Sequence, residues 1–442
     1  MHDALSRSAR ALIAGAGLSA LASIGMGCSC GTPAVPLIDA GPRDAQLPDA
    51  QGRDAQARVD AGVGITCRIE NVEDDLTLLA RDDSTSPPPI IRVARGTTDF
   101  VVVWSDERDD GRALRYARFP RTASEGAVVP PTSLGASTAN GVAPSILSVE
   151  GGWLIAWQSG PNVVVQRFDG SFVASGTPTM LGAGTQPVVQ RIGTTNLVAW
   201  VSGGRIVGRR VGADASASGA QFDLASPSTA PGAIALSTVG TGTSVGVLAW
   251  SPPEAAPGAG SNTMVQPLDG TGAPMGAAAM LGSEANADGD IAIAGLVTSA
   301  DPTVFPLPAA TVFDARIAGE FREIRFRLLD EDGQPDFAEG AVNQDGVRSW
   351  DPTLIGFLDG YLVGHRALQV GAPDPIIRVA YLDRDGCRLG AALSEFDLVN
   401  IAPEGGPIAL AELDDEIVLV GWTEVVLDPG FTDYRVARVR CD

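Results

Sequence analysis

Residues 154–157 read Leu-Ile-Ala-Trp, a short apolar run that ends in a tryptophan. Similar runs recur along the chain at intervals of about 50 residues, and a fixed period of this length indicates a protein built from structural repeats. The fifth copy ends in phenylalanine and the sixth in histidine. The copies occupy residues 101–104, 154–157, 197–200, 247–250, 310–313, 362–365 and 419–422.

Each of these runs has companion segments at matching offsets. A short apolar segment, often opened by a proline such as Pro144 or Pro187, precedes the run. A β-branched or arginine-alternating segment follows it and closes on a turn such as Asp169-Gly170, which is a strong hairpin signal. A fourth short segment completes the unit. Because the tryptophan-ending run is apolar throughout rather than alternating, we expect it to be a strand buried on both faces.

Seven units of four strands are typical of a β-propeller, and residues 64–442 resemble the β-propeller superfamily in period and strand pattern. The sequence therefore predicts an all-β, seven-bladed propeller with four antiparallel strands per blade. The tryptophans are expected to pack between neighbouring blades. The signature motifs of the WD40, kelch and sialidase families do not recur here, so the resemblance stops at the superfamily.

The two ends of residues 64–442 predict how the ring closes. The last repeat stops one strand short, and residues 75–79 supply an apolar segment that matches the missing fourth strand. We therefore expect the N-terminal strand to complete the last blade. Cys441 ends the third strand and Cys67 lies just before the added strand, so we predict a disulfide between them across the seam. Cys387 lies at a similar offset in the sixth repeat and is the competing partner.

The N-terminus reads as an export signal over residues 1–27. Two arginines precede an apolar run over residues 11–25, which is shorter than the ~20 residues a membrane-spanning helix needs. The run ends in Gly-Met-Gly-Cys and resembles the bacterial lipobox, which implies lipidation of Cys28, although Gly25 stands where leucine is usual. Ordinary cleavage without a lipid is the alternative. Ser29 gives no inner-membrane retention signal, so we expect an exported outer-membrane or cell-surface lipoprotein, with a periplasmic position as the alternative.

Residues 28–63 are predicted to be a disordered tether. Asp-Ala pairs recur about every five residues among prolines and glycines, and the segment has too little apolar surface to offset its ordering entropy. A wall-binding repeat is the alternative interpretation. Signal and tether together resemble those of uncharacterised lipoproteins of GC-rich Gram-negative bacteria, a resemblance that covers only residues 1–63.

Composition excludes several kinds of chemistry. All 31 basic residues are arginine, which removes Schiff-base and phosphate-loop lysines. The 2 histidines exclude a multi-histidine metal site, and His365 stands at a buried strand position, where a core histidine or a catalytic base would fit. The net charge of −22 argues against a nucleic-acid partner, because such partners need a basic surface.

Candidate binding residues come from the loops that should follow the tryptophan-type strands, because these loops gather on one face of a propeller. Charged residues there concentrate in repeats five, six, seven and one. The candidate ligand-binding residues are Asp106, Arg108, Asp314, Arg366 and Glu424, with solvated acidic loops as the alternative interpretation.

No catalytic residue, cofactor or metal site is assigned by the sequence. Calcium remains an alternative because Asp330-Glu331-Asp332-Gly333 resembles part of a calcium loop, but the distal glutamate is missing and a hairpin turn explains the motif.

The absence of a recognisable nucleophile, metal cluster or cofactor motif favours a monomeric, non-catalytic binding or scaffold module for a protein or polysaccharide. Its contact with the membrane would be made only through the lipid. The alternative is an extracytoplasmic glycan hydrolase or lyase that uses carboxylates and Arg366 on the loop-rich face, and a purely structural role in the envelope is a third possibility.

Overall fold

The structure is a computed structural model. It describes residues 67–69, 77–82, 90–96, 99–108, 111–120, 129–239, 245–252, 262–282, 287–294, 308–318, 321–336, 339–342, 347–357, 360–369, 371–372, 375–383, 395–400, 408–414, 417–426 and 431–441. The predicted signal (1–27), the tether (28–63) and Cys28 lie outside the described residues. The described part of the chain contains no helix that is long and apolar enough to cross a membrane.

Two N-terminal strands precede the blades, and the first three blades follow without interruption. The N-terminal strands are β1 (Cys67–Ile69) and β2 (Thr77–Asp82). Blade 1 has β3 (Ile91–Arg95), β4 (Asp99–Arg108), β5 (Gly111–Pro120) and β6 (Val129–Ser133). Blade 2 has β7 (Gly141–Val149), β8 (Gly152–Ser159), β9 (Asn162–Asp169) and β10 (Ala174–Ala183). Blade 3 has β11 (Thr185–Ile192), β12 (Thr195–Ser202), β13 (Arg205–Val211) and β14 (Ala217–Ala225).

Four further blades complete the chain. Blade 4 has β15 (Ala233–Thr238), β16 (Gly246–Ser251), β17 (Met264–Leu268) and β18 (Ala279–Met280). Blade 5 has β19 (Ala287–Ala294), β20 (Ala310–Ala318), β21 (Phe321–Leu328) and β22 (Gly340–Ala341). Blade 6 has β23 (Val347–Phe357), β24 (Gly360–Gln369), β25 (Ile376–Leu382) and β26 (Glu395–Asn400). Blade 7 has β27 (Ala409–Asp414), β28 (Ile417–Val426) and β29 (Phe431–Cys441).

Each blade is an antiparallel sheet in which sequence neighbours are hydrogen-bonded neighbours. Among the described residues the only helical piece is a short 3-10 turn at Ala136–Thr138. The predicted fold is confirmed: the chain is an all-β propeller of seven four-stranded blades.

The core lies between neighbouring blades. The second strand of each blade packs against the preceding blade with one face and against the following blade with the other. In blade 3, Val198 and Trp200 pack against blade 2, whereas Leu197 and Ala199 pack against blade 4. Alternate residues of a strand point to opposite faces, so a strand covered by two neighbouring blades is apolar at every position. Four of the tryptophans, Trp104, Trp157, Trp200 and Trp422, are fully buried in these contacts, as predicted.

The ring closes through the N-terminal strands. β2 pairs with the first half of β29, with Thr77 opposite Val436 and Asp82 opposite Thr432. β1 pairs with the second half of β29 and brings Cys67 opposite Cys441. The expected fourth strand of the last blade is therefore present, although it begins at Thr77 and runs to Asp82 rather than spanning residues 75–79.

A series of arginine side chains joins successive blades at the face where the third strands end. The sequence analysis did not predict these contacts. Each guanidinium donates a hydrogen bond to a backbone carbonyl at the corresponding end of the next blade. The pairs are Arg438 with Pro120 at 3.2 Å, Arg118 with Gly170 at 3.3 Å, Arg167 with Ala213 at 2.8 Å and Arg210 with Thr271 at 2.6 Å. These bonds link blades 7, 1, 2, 3 and 4, and they include the seam between the last and the first blade.

The register of β1 and β29 bears on the predicted disulfide. Residues directly opposite each other in an antiparallel pair have Cα atoms about 4.5–5.5 Å apart, within the range of about 4.4–6.8 Å that a disulfide requires. The side chains of Cys67 and Cys441 lie outside the described residues, as does Cys387. The disulfide therefore remains a prediction, supported by the backbone pairing.

We predict that peptide mapping without reductant recovers a fragment that joins Cys67 to Cys441. Reduction should lower the free energy of unfolding by about 6 kcal/mol in the chain-entropy model, because the link closes nearly the whole chain. Cys387 should react with an alkylating agent in the unreduced, unfolded protein. A peptide that joins Cys387 to either partner would contradict the assignment.

Candidate functional site

The propeller has two faces that differ in what they carry. The upper face is defined here by the ends of the second strands and the beginnings of the third, such as Ser202 and Arg205 in blade 3. The lower face is the one at which the third strands end. The predicted binding residues lie near the ends of second strands, which places their backbone at the upper face.

Asp106 lies inside β4 and has an exposed fraction of 0%. Its carboxylate accepts a hydrogen bond of 3.0 Å from Trp104 Nε1 and forms an ion pair with Arg115 of β5. The loop expected at this position is absent, because β4 continues to Arg108. The side chain of Arg108 lies outside the described residues.

Asp314 and Arg366 are also strand residues rather than loop residues. Asp314 of β20 is 2% exposed, and Arg322 Nη1 lies 3.3 Å from its carboxylate. Arg366 of β24 is 0% exposed, with Nε 3.1 Å from Asp351 Oδ2. The expectation that these residues lie in loops is therefore wrong, because the second strands extend further than the apolar pattern indicates.

The structure does not bring the predicted residues into a single site. Asp314 shares a face of its strand with Val312, which packs against blade 6. Arg366 donates a hydrogen bond of 2.6 Å to the Thr423 carbonyl in blade 7, and Asp106 lies on the side of β4 that packs against blade 7 through Trp104. Glu424 lies in β28, and its side chain is outside the described residues. Whether these residues contact a ligand stays a prediction.

What the described candidates share is a buried ion pair within one blade. The pairs are Asp106 with Arg115 in blade 1, Asp314 with Arg322 in blade 5 and Asp351 with Arg366 in blade 6. The residues that occupy the place of Arg366 in blades 2 to 4 are uncharged: Gln158, Val201 and Ser251. Blades 1 and 7 also have uncharged residues at this place, Ser105 and Thr423, so the position is charged only in blades 5 and 6.

A group of these polar residues lies where blade 6 meets Arg322 of blade 5. We call Arg322, Arg348, Trp350, Asp351 and Arg366 the blade 6 cluster. Trp350 lies directly opposite Arg366 in the register of β23 and β24, and the guanidinium carbon of Arg348 lies 5.8 Å from the centre of the Trp350 ring. The cluster therefore combines three cations, one carboxylate and one indole, which come from the first and second strands of blade 6 and the third strand of blade 5.

A backbone bulge places the carboxylate of Asp351. The register of β23 shifts between Trp350 and Thr353, and Asp351 has φ 54° immediately before a proline. Positive φ is uncommon for a residue other than glycine, and the conformation before a proline is restricted further. The same bulge occurs at Ala143 (φ 49°) and Gln186 (φ 55°), each of which also precedes a proline.

In blade 3 this bulge also serves a contact between blades. Gln186 Nε2 donates a hydrogen bond of 2.8 Å to the Gly232 carbonyl at the start of blade 4. In blade 6 the equivalent link runs from Asp351 through Arg366 to the Thr423 carbonyl of blade 7. The same backbone bulge therefore supports a contact with the next blade in both blades, through a glutamine in blade 3 and through an aspartate and its arginine partner in blade 6.

Burial and charge both act on Arg322. Partial burial lowers the pKa of Arg322, and the positive charge of Arg348 lowers this pKa further, while the carboxylate of Asp351 acts in the opposite direction. The two guanidinium groups are therefore close enough to repel each other.

Sequence reasoning missed Arg115, Arg322 and Arg348. These arginines lie on first and third strands, where alternating arginines were interpreted as ordinary strand residues. Arg115 and Arg322 each pair with a carboxylate on the neighbouring strand of the same blade, nine and eight residues away, and the alternating pattern does not distinguish them from the other arginines of those strands.

The turn at Asp330 is a hairpin turn. Asp330 Oδ1 accepts hydrogen bonds from the backbone N–H groups of Asp332 at 2.9 Å and Gln334 at 2.8 Å. Asp269 is used in the same way: burial alone would raise its pKa, but the hydrogen bonds from Thr271 and Ala273 outweigh burial and hold this pKa below its usual value. Within the described ranges no group of three or more His, Cys, Asp or Glu residues is placed to hold a metal ion.

His365 has the environment of a core residue. It is fully buried at the position that tryptophan occupies in most other blades, and its Nδ1 lies 3.2 Å from the Arg366 carbonyl oxygen. Its neighbour Val363 on the same face packs against blade 5. This placement agrees with the interpretation of His365 as a core histidine.

No protein-family model matches the chain. No curated protein matches it either. Among solved structures, a protein of unknown function from Dyadobacter fermentans is similar at 11% identity with a TM-score of 0.46, over 85% of this chain and 99% of that one. The propeller domain of the trilobed protease from Pyrococcus furiosus is similar at 9% identity and TM-score 0.40, over 80% and 94% of the two chains. The SapL1 lectin with bound α-methyl fucoside is similar at 12% identity and TM-score 0.39, over 72% and 97%.

We predict that the ion pair between Arg366 and Asp351 in blade 6 contributes to the free energy of unfolding. Replacing Arg366 by methionine leaves the carboxylate of Asp351, which is 16% exposed, without its buried cation. The free energy of unfolding should fall by about 2–4 kcal/mol, somewhat less than for a fully buried pair. The double variant Arg366→Met, Asp351→Asn, which removes the carboxylate with a residue that tolerates the positive φ of this position, should recover part of this loss, as measured by urea unfolding.

The control is Arg205→Met, because Arg205 pairs with Asp223 on the same face of the propeller but both side chains are more than half exposed. Its effect should stay within about 0.5 kcal/mol. Equal effects of the two single substitutions would show that the blade 6 pair carries no special weight.

Proposed function

We propose that the protein is a non-catalytic binding module, anchored in the cell envelope through lipidated Cys28, whose upper face binds a polysaccharide or protein. The observation that carries the proposal is the pairing of the carboxylates at the upper face. Asp106, Asp314 and Asp351 each form an ion pair with an arginine of their own blade, so their oxygens are committed to holding strands together.

This arrangement is a poor basis for glycoside hydrolysis. A glycosidase needs two carboxyl groups about 5–10 Å apart on either side of the bond that is cleaved. Asp106 and Asp314 belong to blades 1 and 5, with two blades between them in the ring, and each points into a contact between blades rather than at a shared centre. A hydrolase or lyase therefore gains no support from the described residues.

The path of the chain favours an upper face that is free to bind. β29 runs from the upper face, where it forms a hairpin with β28, to Cys441 at the lower face. β1 is antiparallel to β29, so the chain enters the propeller at Cys67 on the lower face. A tether over residues 28–63 would then attach to the lower face, and the upper face would be directed away from the membrane.

A closed ring also suits binding. A ligand face built on strands that are buried on both sides needs little ordering when the ligand arrives, and this keeps the entropic cost of binding low.

The proposal is tested with the full-length protein and its Cys28→Ser variant. The wild-type chain should remain with the membrane fraction, whereas the variant should be released, because it lacks the thiol that accepts the lipid. The purified variant should be retained on an envelope polysaccharide or an envelope protein without generating new reducing ends or unsaturated sugars. Time-dependent cleavage of a glycan would contradict the non-catalytic assignment, and release of both proteins from the membrane would contradict the anchor.

A further inference from the structure

The upper face of the propeller has two levels. The second strands of blades 2 and 3 end two residues after their tryptophans, at Ser159 and Ser202. In blades 5, 6, 7 and 1 the second strands continue for four or five residues after the corresponding position, to Ala318, Gln369, Val426 and Arg108. At about 3.3 Å per residue, the extra two or three residues lengthen these strands by about 7–10 Å. Blades 2 and 3 therefore form a low ledge beside four longer neighbouring blades.

The side chains on this ledge are polar and uncharged. Within residues 135–143, 157–162, 183–187 and 201–205 the only charged side chain is Arg205, which pairs with Asp223 at 3.0 Å. The lower ends of the same two blades carry charges such as Glu150, Asp169 and Arg191. The residues that we call the ledge residues are Asn140, Ser159, Asn162, Thr185 and Ser202.

The ledge residues have hydrogen-bonding capacity that the protein does not use. Asn140 and Thr185 are exposed, and the other three are partly exposed. Within the described part of the chain, none of the five side chains takes part in a hydrogen bond. Each amide and hydroxyl can both donate and accept, so the ledge offers several such groups to a ligand.

A backbone hydrogen bond joins the ledge across the two blades. Ser159 lies directly opposite Asn162 in blade 2, so their Cβ atoms are about 4.5–5.5 Å apart. The backbone N–H of Gly184 donates a hydrogen bond of 2.9 Å to the Pro161 carbonyl at the tip of that hairpin. Thr185 of blade 3 therefore follows directly after the contact, and the polar groups continue from one blade to the next.

The ledge is built on tight turns. Two-residue loops, Gly160-Pro161 and Gly203-Gly204, connect the second and third strands of the two blades. Gly160, Gly203 and Gly204 have φ of 58°, 57° and 80°, which glycine adopts without steric cost. A surface fixed in this way loses little conformational freedom when a ligand binds.

The chemistry of the ledge favours a neutral ligand that is rich in hydroxyl groups. Sugar hydroxyls donate and accept hydrogen bonds, as the ledge residues do. A net charge of −22 repels polyanions at long range, and the ledge has no cationic group free to offset this repulsion. Protein partners are held mainly by tryptophan, tyrosine and arginine anchors. Among the exposed side chains of the ledge segments only Arg205 is of this kind, and it pairs with Asp223.

We propose that the ledge on blades 2 and 3 binds a neutral polysaccharide through hydrogen bonds between the ledge residues and sugar hydroxyls. The inference rests on the proposed function, and it names the ligand class and the part of the upper face that binds it.

The test uses the full-length Cys28→Ser protein immobilised on a support. The probes are two oligosaccharide fractions, neutral and acidic, which are obtained by partial hydrolysis of envelope polysaccharide and separated by anion exchange. The neutral fraction should be retained in preference to the acidic one. Its retention should be the same at low salt and at about 0.5 M salt, because salt screens only interactions between charges.

Two substitutions test the location of the site. Asn162→Ala and Thr185→Ala should each weaken retention of the neutral fraction by about two- to tenfold, because each removes one hydrogen-bonding side chain. The matched controls are Asn196→Ala and Thr195→Ala at the lower end of blade 3, where both side chains are partly exposed. The controls should leave retention unchanged, and melting curves report whether the four variants are folded.

Retention of the acidic fraction alone, or retention that falls with salt, would overturn the neutral ligand and leave the proposed function standing. Equal losses in the ledge variants and in their controls would overturn the location. Capture of an envelope protein without retention of either fraction would overturn the inference while supporting the proposed function. Absence of retention of any polysaccharide or protein would contradict both.

Discussion

The tryptophan-ending second strand has to be covered on both faces, and a single four-stranded sheet covers neither. Each blade therefore needs a neighbour on each side, and a chain of such blades is complete only when its first and last members meet. In this protein β2 supplies the outer strand of the last blade, so blades 7 and 1 share a core as other neighbours do. Most of the remaining structure follows from that requirement, including the bulges and arginines that fasten one blade to the next.

In the described part of the chain, the fully buried carboxylates of this core, Asp106 and Asp314, are each paired with an arginine. Burying a single carboxylate is costly unless a cation and hydrogen bonds accompany it, and the pairs in blades 1, 5 and 6 meet this condition. On the opposite face, arginines such as Arg167 hold the turn of the next blade through backbone carbonyls. Guanidinium groups thus stabilise both faces. The basic residues of this protein are all arginine, and several of them serve these structural contacts.

Much of the fold was predictable from sequence because the period and the apolar run both record burial between blades. The closing strand was predictable from the repeat as well, because the last repeat has only three strands and an N-terminal apolar segment matches the missing fourth. The site was less predictable. Asp106 and Arg366 look like loop residues since a polar residue after a tryptophan usually marks a strand end, yet both strands continue. Arg322 and Arg348 lie in consecutive repeats, and the packing of blade 5 against blade 6 brings β21 and β23 together. The bulge that positions Asp351 recurs directly before a proline in three blades, so the proline marks its place, but the residue before a proline favours an extended backbone and the positive φ was not predictable.

Native-state hydrogen exchange followed by mass spectrometry tests the closed ring most directly. Local openings should be rare in the second strands of all seven blades, and β2 should exchange with β28 and β29 as one cooperative unit, because the last blade depends on it. The account predicts similar protection for the seam and for an internal blade such as blade 3. Rapid exchange of β2 while β28 and β29 stay protected would contradict it, since the last blade would then be stable without the strand that closes the ring.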